Sequence, residues 1–162
     1  MKKLILLLFT TFTLSCCNND DDKPQTELEK LPPATQTGAN TFGCLLDGKA
    51  FLPGNGQNTL DCVYQFVNDE YYFALQGNNE INNFSVLIGL STNAKHIEQN
   101  NTYALNGMFS TTDGTTYTGE LTITKLDDIN HIVSGTFWFD IVDFQGNSHQ
   151  IRDGRFDMQY TN

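Results

Sequence analysis

The sequence TYTGELTITKLDDINHIVSGTFWFDIV, residues 116–142, contains the clearest strand pattern in the chain. Apolar and polar side chains alternate through both halves of this segment, and the sequence DDIN separates the two halves. A period of two residues is typical of a half-buried β-strand, and a short break rich in Asp and Asn is typical of a turn. The segment therefore predicts two antiparallel strands whose apolar side chains share one face of a sheet.

The same alternation recurs in shorter runs on both sides of this segment. These runs cover residues 41–46, 49–52, 60–67, 71–76, 83–91, 102–108 and 148–160. Asp47-Gly48 separates the first two runs and favours a type I′ hairpin, because both central residues of that turn need a positive φ. We therefore expect an all-β domain of eight or nine strands. Its antiparallel connections would be mostly meanders, in either a single β-sandwich or a flattened β-barrel.

The alternation also predicts which side chains face the core. The predicted core residues are Phe42, Cys44, Leu46, Leu60, Cys62, Tyr64, Phe66, Phe84, Val86, Ile88, Leu90, Leu121, Ile123, Phe137, Phe139, Ile141, Phe156, Met158 and Tyr160. Trp138 falls on the opposite face of its strand, together with Thr136 and Asp140. There it could stack on a sugar ring or enter a partner's surface. Alternatively, it could form a small second cluster with Val142 and Tyr117.

The N-terminus resembles the leader of a bacterial lipoprotein. Two lysines precede an apolar run that is shorter than the roughly 20 residues needed to span a bilayer. The run ends in Leu14-Ser15-Cys16-Cys17, which resembles a lipobox, the site where a signal peptidase cuts before an acylated cysteine. With Cys17 as the acceptor, Leu14 takes the usual position of leucine. We predict a signal peptide over residues 1–16 and lipid attachment at Cys17, with Cys16 as the alternative.

Residues 17–40 have the composition of a tether. They carry an acidic triplet, Asp20 to Asp22, together with three prolines, and they contain no aromatic residue. Such a segment cannot bury a core, so we expect a disordered tether in front of a β-domain at residues 41–162. The acidic triplet resembles the surface-export signal of Bacteroidota lipoproteins, although it could also be a solvated run. We predict an outer-membrane lipoprotein on the cell surface or on the periplasmic face.

Length and charge limit the classes of partner. The chain has 162 residues, and its 19 acidic side chains against 9 basic ones give a formal net charge of -10. The length fits one globular domain with a short appendage. The negative charge repels the phosphate backbone that supplies most nucleic-acid affinity, so we expect no nucleic-acid partner. The expected partner is a membrane, reached through the lipid anchor, and a protein or glycan partner is left open.

The remaining candidate groups are two cysteines and three histidines. Cys44 and Cys62 fall on predicted core faces of neighbouring strands, where they could form a disulfide or pack as two buried thiols. The histidines, His96, His131 and His149, are far apart in the sequence and lack the spacing of a zinc site. We therefore expect neither a metal nor a cofactor.

No sequence motif indicates catalysis, so we predict that the protein is not an enzyme. The leading hypothesis is a non-catalytic binding or structural β-domain of the cell envelope. A second hypothesis is a carrier that holds a small apolar ligand in the mouth of a β-barrel. A third is a glycan hydrolase, for which acids on the strands such as Glu120 and Asp140 could form a carboxylate pair.

Four segments of the chain resemble a known family. They are residues 37–49, TGANTFGCLLDGK, residues 119–127, GELTITKLD, residues 133–139, VSGTFWF, and residues 151–157, IRDGRFD. Together they resemble an uncharacterised all-β domain of Bacteroidota lipoproteins over nearly the whole mature chain. The resemblance implies an envelope location and an all-β fold, and it assigns no activity.

Overall fold

The computed structural model describes residues 25–81, 84–110, 115–143 and 145–162, without the side chains of residues 115–117. The predicted signal peptide, the candidate lipid acceptors Cys17 and Cys16, and the acidic triplet lie outside the described residues. Within the described residues no helix is long and apolar enough to cross a membrane.

The described part of the chain forms ten β-strands. They are β1 (Thr41–Leu46), β2 (Lys49–Phe51), β3 (Leu60–Val67), β4 (Glu70–Ile81), β5 (Phe84–Thr92), β6 (Thr102–Ala104), β7 (Asn106–Phe109), β8 (Thr115–Asp127), β9 (Ile132–Val142) and β10 (Ser148–Gln159). The predicted single run over residues 102–108 is divided at Leu105. β6 pairs with β8, whereas β7 pairs with β5, so the chain changes sheets at this buried residue. This crossing explains why the strand count exceeds the expected eight or nine.

The strands form two antiparallel sheets that pack as a sandwich. One sheet has six strands in the order β2-β1-β10-β9-β8-β6, and the other has four in the order β3-β4-β5-β7. The consecutive hairpins β3-β4-β5 and β8-β9-β10 confirm the expected meander connections. The two sheets keep separate edges, so the fold is the sandwich and not the flattened barrel.

Side chains from both sheets form one apolar core. Phe139, Ile141, Leu121 and Ile88 are fully buried in this cluster, as the alternation predicts. Two predicted core residues are wrong: Phe66 is 59% exposed and Phe84 is 74% exposed. Phe66 lies next to the β3–β4 turn and Phe84 begins β5, so each lies at the end of its strand. The period predicts which face a side chain takes, but it does not predict how far the opposite sheet extends.

The predicted hairpin turn at Asp47-Gly48 is confirmed. Asp47 has φ 50° and Gly48 has φ 79°, and the turn joins β1 to β2. Asn68 and Asp69, with φ 52° and 66°, make the equivalent turn between β3 and β4. Both turns have the two positive φ values that a type I′ hairpin needs.

Residues 32–39 lie against the six-stranded sheet, and we call this segment the N-terminal strap. It is held by Asp157 on β10, which is fully buried. The Asp157 carboxylate accepts six hydrogen bonds of 2.6 to 3.2 Å. The donors are the hydroxyls of Thr35, Thr37 and Ser134 and the backbone N–H groups of Thr37, Gly38 and Ala39. The predicted disordered tether over residues 17–40 is therefore wrong for the strap.

The strap is held by contacts with residues that are distant in the sequence, so its own sequence does not indicate that it is ordered. Its hydrogen-bond partner Asp157 lies 118 to 122 residues further along the chain. Just before the strap, Leu31 is buried at 6% exposure, and Glu27 accepts a 2.8 Å hydrogen bond from the backbone N–H of Ala50 on the edge strand β2. The packed body of the protein thus begins before the predicted boundary at residue 41.

The two cysteines of the body are free and buried. Cys44 lies on β1 of the six-stranded sheet, whereas Cys62 lies on β3 of the four-stranded sheet. The prediction that their strands are neighbours is wrong, because β1 pairs with β2 and β10. Burial raises the pKa of both thiols well above the ordinary value, which keeps them protonated and unreactive. Of the two alternatives for this pair, the structure contains the two packed thiols and not the disulfide.

Candidate functional site

The outer face of the six-stranded sheet carries the residue with the strongest functional interest. Trp138 is half-buried on β9 between the fully core-facing Phe137 and Phe139, so it points away from the core as the alternation predicts. Its neighbours on this face are Glu120 on β8 and Arg152 on β10. The alternative cluster with Tyr117 lies outside the described side chains.

Two charged side chains hold Trp138 in place. The indole Nε1–H donates a 3.2 Å hydrogen bond to Oε2 of Glu120, which is the cross-strand partner of Trp138. The Arg152 guanidinium lies 5.4 Å from the centroid of the Trp138 ring, within the range of a cation–π contact. Asp140 holds this guanidinium in turn, with an Nη2 to Oδ1 distance of 2.5 Å. Trp138 is therefore a positioned aromatic surface rather than a freely rotating side chain.

A groove of about 300 Å³ opens beside Trp138. Its lining comes from three adjacent strands and from the strap. The lining residues are Ala34, Glu120, Thr122, Thr136, Phe137, Trp138, Asp153, Gly154 and Arg155. Thr136 is exposed and lies between Thr122 of β8 and Arg155 of β10 in the strand register. The short side chains of Thr122 and Thr136 form the floor of the groove, and the larger side chains of Trp138 and Arg155 lie beside it.

The strap forms part of the groove. Ala34 lines it directly, and the carbonyl of Pro32 accepts a 3.4 Å hydrogen bond from Nη1 of Arg155. Both residues lie within three residues of Thr35, where the hydrogen bonds from the strap to Asp157 begin. The sequence interpretation missed this contribution, because it assigned the whole of residues 17–40 to a disordered tether.

The groove combines the chemical groups that bind hydroxylated rings. It contains an aromatic face on Trp138, hydroxyl groups on Thr122 and Thr136, a carboxylate on Glu120 and a guanidinium on Arg155. Aromatic faces make apolar contact with a ring, while the polar groups around them fix its orientation by hydrogen bonding. Arg155 was not singled out from the sequence, although it alternates with the core residue Phe156 and so belongs on the outer face.

The acids proposed for hydrolysis are engaged in other contacts. Glu120 accepts the hydrogen bond from Trp138, and Asp140 forms its ion pair with Arg152. A further acid, Asp143, follows β9 and accepts hydrogen bonds from Asn147 in the turn between β9 and β10. These bonds lower the pKa of Asp143, with the side chain of Asn147 as the largest cause. Each of these carboxylates therefore has a structural partner.

Asp157 is the most strongly held carboxylate. Burial acts to raise its pKa, but the hydrogen bonds from Thr35, Thr37, Gly38 and Ser134 outweigh burial and hold the pKa well below the usual range. Asp157 is thus ionised and completely enclosed, with no room for a substrate. Its role is to hold the strap on the sheet.

The three histidines lie in separate environments. His96 is hydrogen-bonded through Nδ1 to the Tyr64 hydroxyl at 3.0 Å, and His131 stacks on Tyr160. Nδ1 of His149 lies 2.7 Å from Oδ2 of Asp47. Within the part of the chain that the structure describes, no group of three His, Cys, Asp or Glu side chains is placed to hold a metal ion.

A second depression lies on the opposite side of the sandwich. It measures about 250 Å³, and its walls include Val63, Ala74 and Met108 on the four-stranded sheet. Among the described residues that line it, Asp61 is the only charged one. Its described lining contains neither an aromatic ring nor a cation, so it offers fewer groups for ligand binding than the groove beside Trp138.

Comparison with known proteins gives no further guide to the site. No protein-family model matches the chain, and no match was found among curated proteins or among solved structures. The resemblance to a lipoprotein domain of Bacteroidota therefore stays a prediction from the sequence.

Proposed function

We propose that the protein is a non-catalytic binding module, anchored to the membrane of the cell envelope, and that its groove beside Trp138 binds a hydroxylated ring such as a sugar residue. The observation that carries this proposal is the positioned Trp138 ring within a groove of hydroxyl and charged side chains. A ring that is already held in place loses little conformational entropy when a ligand stacks on it.

The contacts of the acids favour binding over hydrolysis. A hydrolase needs one carboxyl group that is free to donate a proton and a second carboxylate that is free to act as a base or nucleophile. Glu120 is bonded to Trp138 and Asp140 is ion-paired with Arg152, so both acids serve to hold the aromatic ring. The same contacts that weaken the case for hydrolysis strengthen the case for a fixed binding surface.

The second hypothesis, a carrier of an apolar ligand, has less support. It requires a barrel whose mouth can hold the ligand. The described strands form two separate sheets, and the space between them is filled by core side chains such as Phe139 and Ile88. The described core therefore contains no cavity of the kind that a carrier needs for its ligand.

Replacement of Trp138 tests the binding proposal. We expect Trp138→Ala in the full chain, solubilised in detergent, to lose about fivefold or more in affinity on a saccharide array, because loss of stacking on an aromatic side chain costs about 1–3 kcal/mol per stacked ring when the ring is a nucleobase. Tyr72→Ala is the matched control, because Tyr72 is an aromatic residue, 52% exposed, on the other sheet. Unchanged saccharide binding by Trp138→Ala, together with a marked fall in its Tm, would show that Trp138 is only a structural residue.

Labelling of the cysteines tests the anchor. Cells expressing the chain would be fed radioactive palmitate, and the protein would then be examined for the label. We expect Cys17→Ser to abolish labelling and Cys16→Ser to preserve it. The opposite pattern would identify Cys16 as the lipid acceptor. If neither the unchanged protein nor either variant takes up the label, the lipid anchor is contradicted. Protease treatment of intact cells would then separate surface display from a periplasmic location.

A further inference from the structure

The two arginines of β10 lie on the same outer face but have different partners. Arg152 is paired with Asp140, and its guanidinium covers one side of the Trp138 ring. Its Nη1 also donates to two backbone carbonyls, at 2.9 and 3.1 Å. Its charge and most of its donors are therefore satisfied within the protein.

Arg155 has far weaker internal contacts. Its Nη1 donates to the carbonyl of Pro32 and its Nε to the carbonyl of Asp153, both at 3.4 Å. Within the described residues no carboxylate lies within ion-pair distance of this guanidinium. Arg155 is half-buried and lines the groove, so a cation without a charge partner faces the space beside Trp138.

An arginine that has no charge partner among the described residues is unexpected in this protein. The chain carries 19 acidic side chains against 9 basic ones, so carboxylates are abundant. A guanidinium has five N–H donors in a planar fork, and this geometry matches the two oxygens of a carboxylate. In a half-buried site such a charge-assisted pair is stronger than on an open surface. The described residues supply no such carboxylate to Arg155, so a ligand can supply one.

We propose that Arg155 binds a carboxylate carried by the ligand, so that the ligand is an acidic saccharide containing a hexuronic acid unit. This inference rests on the proposed function, because it assigns the ligand class of the same groove. The ring would lie beside Trp138 and over the threonine floor, and its hydroxyl groups could donate to Glu120. The acid group of the ligand would contact Arg155 on β10, across the groove from Glu120 on β8.

The strand register indicates how wide the floor of the groove is. Thr122, Thr136 and Arg155 are consecutive cross-strand neighbours on β8, β9 and β10. Because adjacent strands lie about 4.8 Å apart, the groove floor is about 10 Å wide from Thr122 to Arg155. Glu120 and Asp153 also line the groove, and both would repel a ligand carboxylate. Asp153 lies on β10 with Arg155, whereas Glu120 lies on β8 across the groove, so the contact with the Arg155 guanidinium decides where the acid group binds.

Matched acid and ester ligands test this inference. The full chain in detergent would be titrated calorimetrically with oligomers of galacturonate and glucuronate, with the methyl esters of the same oligomers, and with neutral and sulfated oligosaccharides. We expect at least one uronate to bind at least tenfold more tightly than its own ester. Arg155→Gln should remove that difference, whereas Arg152→Gln should leave a clear preference for the acid. Circular dichroism and Tm would establish that both variants are folded.

The outcomes separate this inference from the proposal beneath it. Equal binding of uronates and their esters by the unchanged protein would overturn the role of Arg155 and leave ring binding standing. Tighter binding of sulfated than of uronic oligosaccharides would overturn the assignment of a carboxylate. The absence of binding to every saccharide tested would overturn both proposals. An acid preference that survives in Arg155→Gln would place the charge contact elsewhere.

Discussion

Asp157 and Arg155 lie two residues apart on the same face of β10, and the strap contacts both. Asp157 is fully buried and accepts six hydrogen bonds from the strap and from β9. Arg155 lines an open groove, and within the described residues its side chain donates two hydrogen bonds, each 3.4 Å long. One charged group is completely satisfied by the protein, and the other is not.

This difference separates a structural polar site from a binding site. A buried charge is stable only when the protein supplies all of its partners, as it does for Asp157. A charge at a groove can rely on water until a ligand replaces the water. The alternation of apolar and polar residues places Asp157 and Arg155 on the same face of β10. Only their contacts in the folded protein show that one is structural and the other is available to a ligand.

Removal of the Asp157 charge should give the largest effect. We expect Asp157→Asn to destabilise the protein by about 3 kcal/mol, because the amide brings two N–H donors to a place where other donors already point. In a chain of this size the Tm should fall by about 10 °C. Thermal unfolding followed by circular dichroism measures the change.

Asp153→Asn is the control for that substitution. Asp153 is exposed on β10, and its φ of 51° is one that Asn tolerates well. Its loss should change the stability by no more than about 0.5 kcal/mol. Equal effects of the two substitutions would contradict the structural role assigned to Asp157.

The stabilisation that Asp157 provides should disappear in acid. Its folded-state pKa lies below the ordinary value of about 3.9, so the unfolded chain takes up the proton first. The contribution is therefore complete above about pH 5 and is lost as the pH falls below about 4. We expect the Tm difference between the unchanged protein and Asp157→Asn to become smaller as the pH is lowered from about 5 to below about 4. A difference that stays constant from pH 7 to pH 2 would show that ionisation of Asp157 is unimportant.

Loss of a single donor to Asp157 should have a smaller effect. Thr35 donates a 2.6 Å hydrogen bond from its hydroxyl to the carboxylate. Thr35→Val keeps the shape of the side chain and should cost about 1 kcal/mol. Hydrogen exchange of the backbone N–H groups of Gly38 and Ala39 should become faster in this variant, because they are held by the same carboxylate. Unchanged exchange would mean that the strap is held by other contacts.

The smallest predicted effect concerns the indole nitrogen. Trp138→Phe keeps an aromatic face but removes the hydrogen bond to Glu120. We expect a loss of about two- to tenfold in affinity for the saccharide, because a ring that is no longer held by Glu120 must be immobilised when the ligand binds, at a cost of about 0.5–1.5 kcal/mol. Titration calorimetry beside Trp138→Ala measures it. A loss as large as that of Trp138→Ala would assign the function of Trp138 to its N–H group rather than to its ring.

Much of the fold follows from local sequence. The period of two residues places Phe137, Phe139 and Ile141 in the core and Trp138 on the outer face, and the structure agrees. Asp47-Gly48 predicts a hairpin because its backbone preference is a property of two adjacent residues. Such features depend on neighbours in the chain and can therefore be derived without the fold.

The remaining features depend on contacts between distant segments. Cys44 and Cys62 are close in sequence but belong to different sheets, because β10 and β2 take the positions on both sides of β1. The strap is ordered by a carboxylate more than 100 residues away, so its own composition indicates disorder. Arg155 could be placed on the outer face by alternation, but its lack of an ion pair could be found only once the sheet was assembled.

The fluorescence of Trp138 is the most direct test of the binding groove. The chain contains one tryptophan, so its emission reports on this groove alone. We predict that the uronic oligosaccharide that binds in calorimetry will shift or quench the emission with the same Kd. Binding of a saccharide that leaves both the emission and its quenching by acrylamide unchanged would contradict the account, because the ligand would then lie away from Trp138.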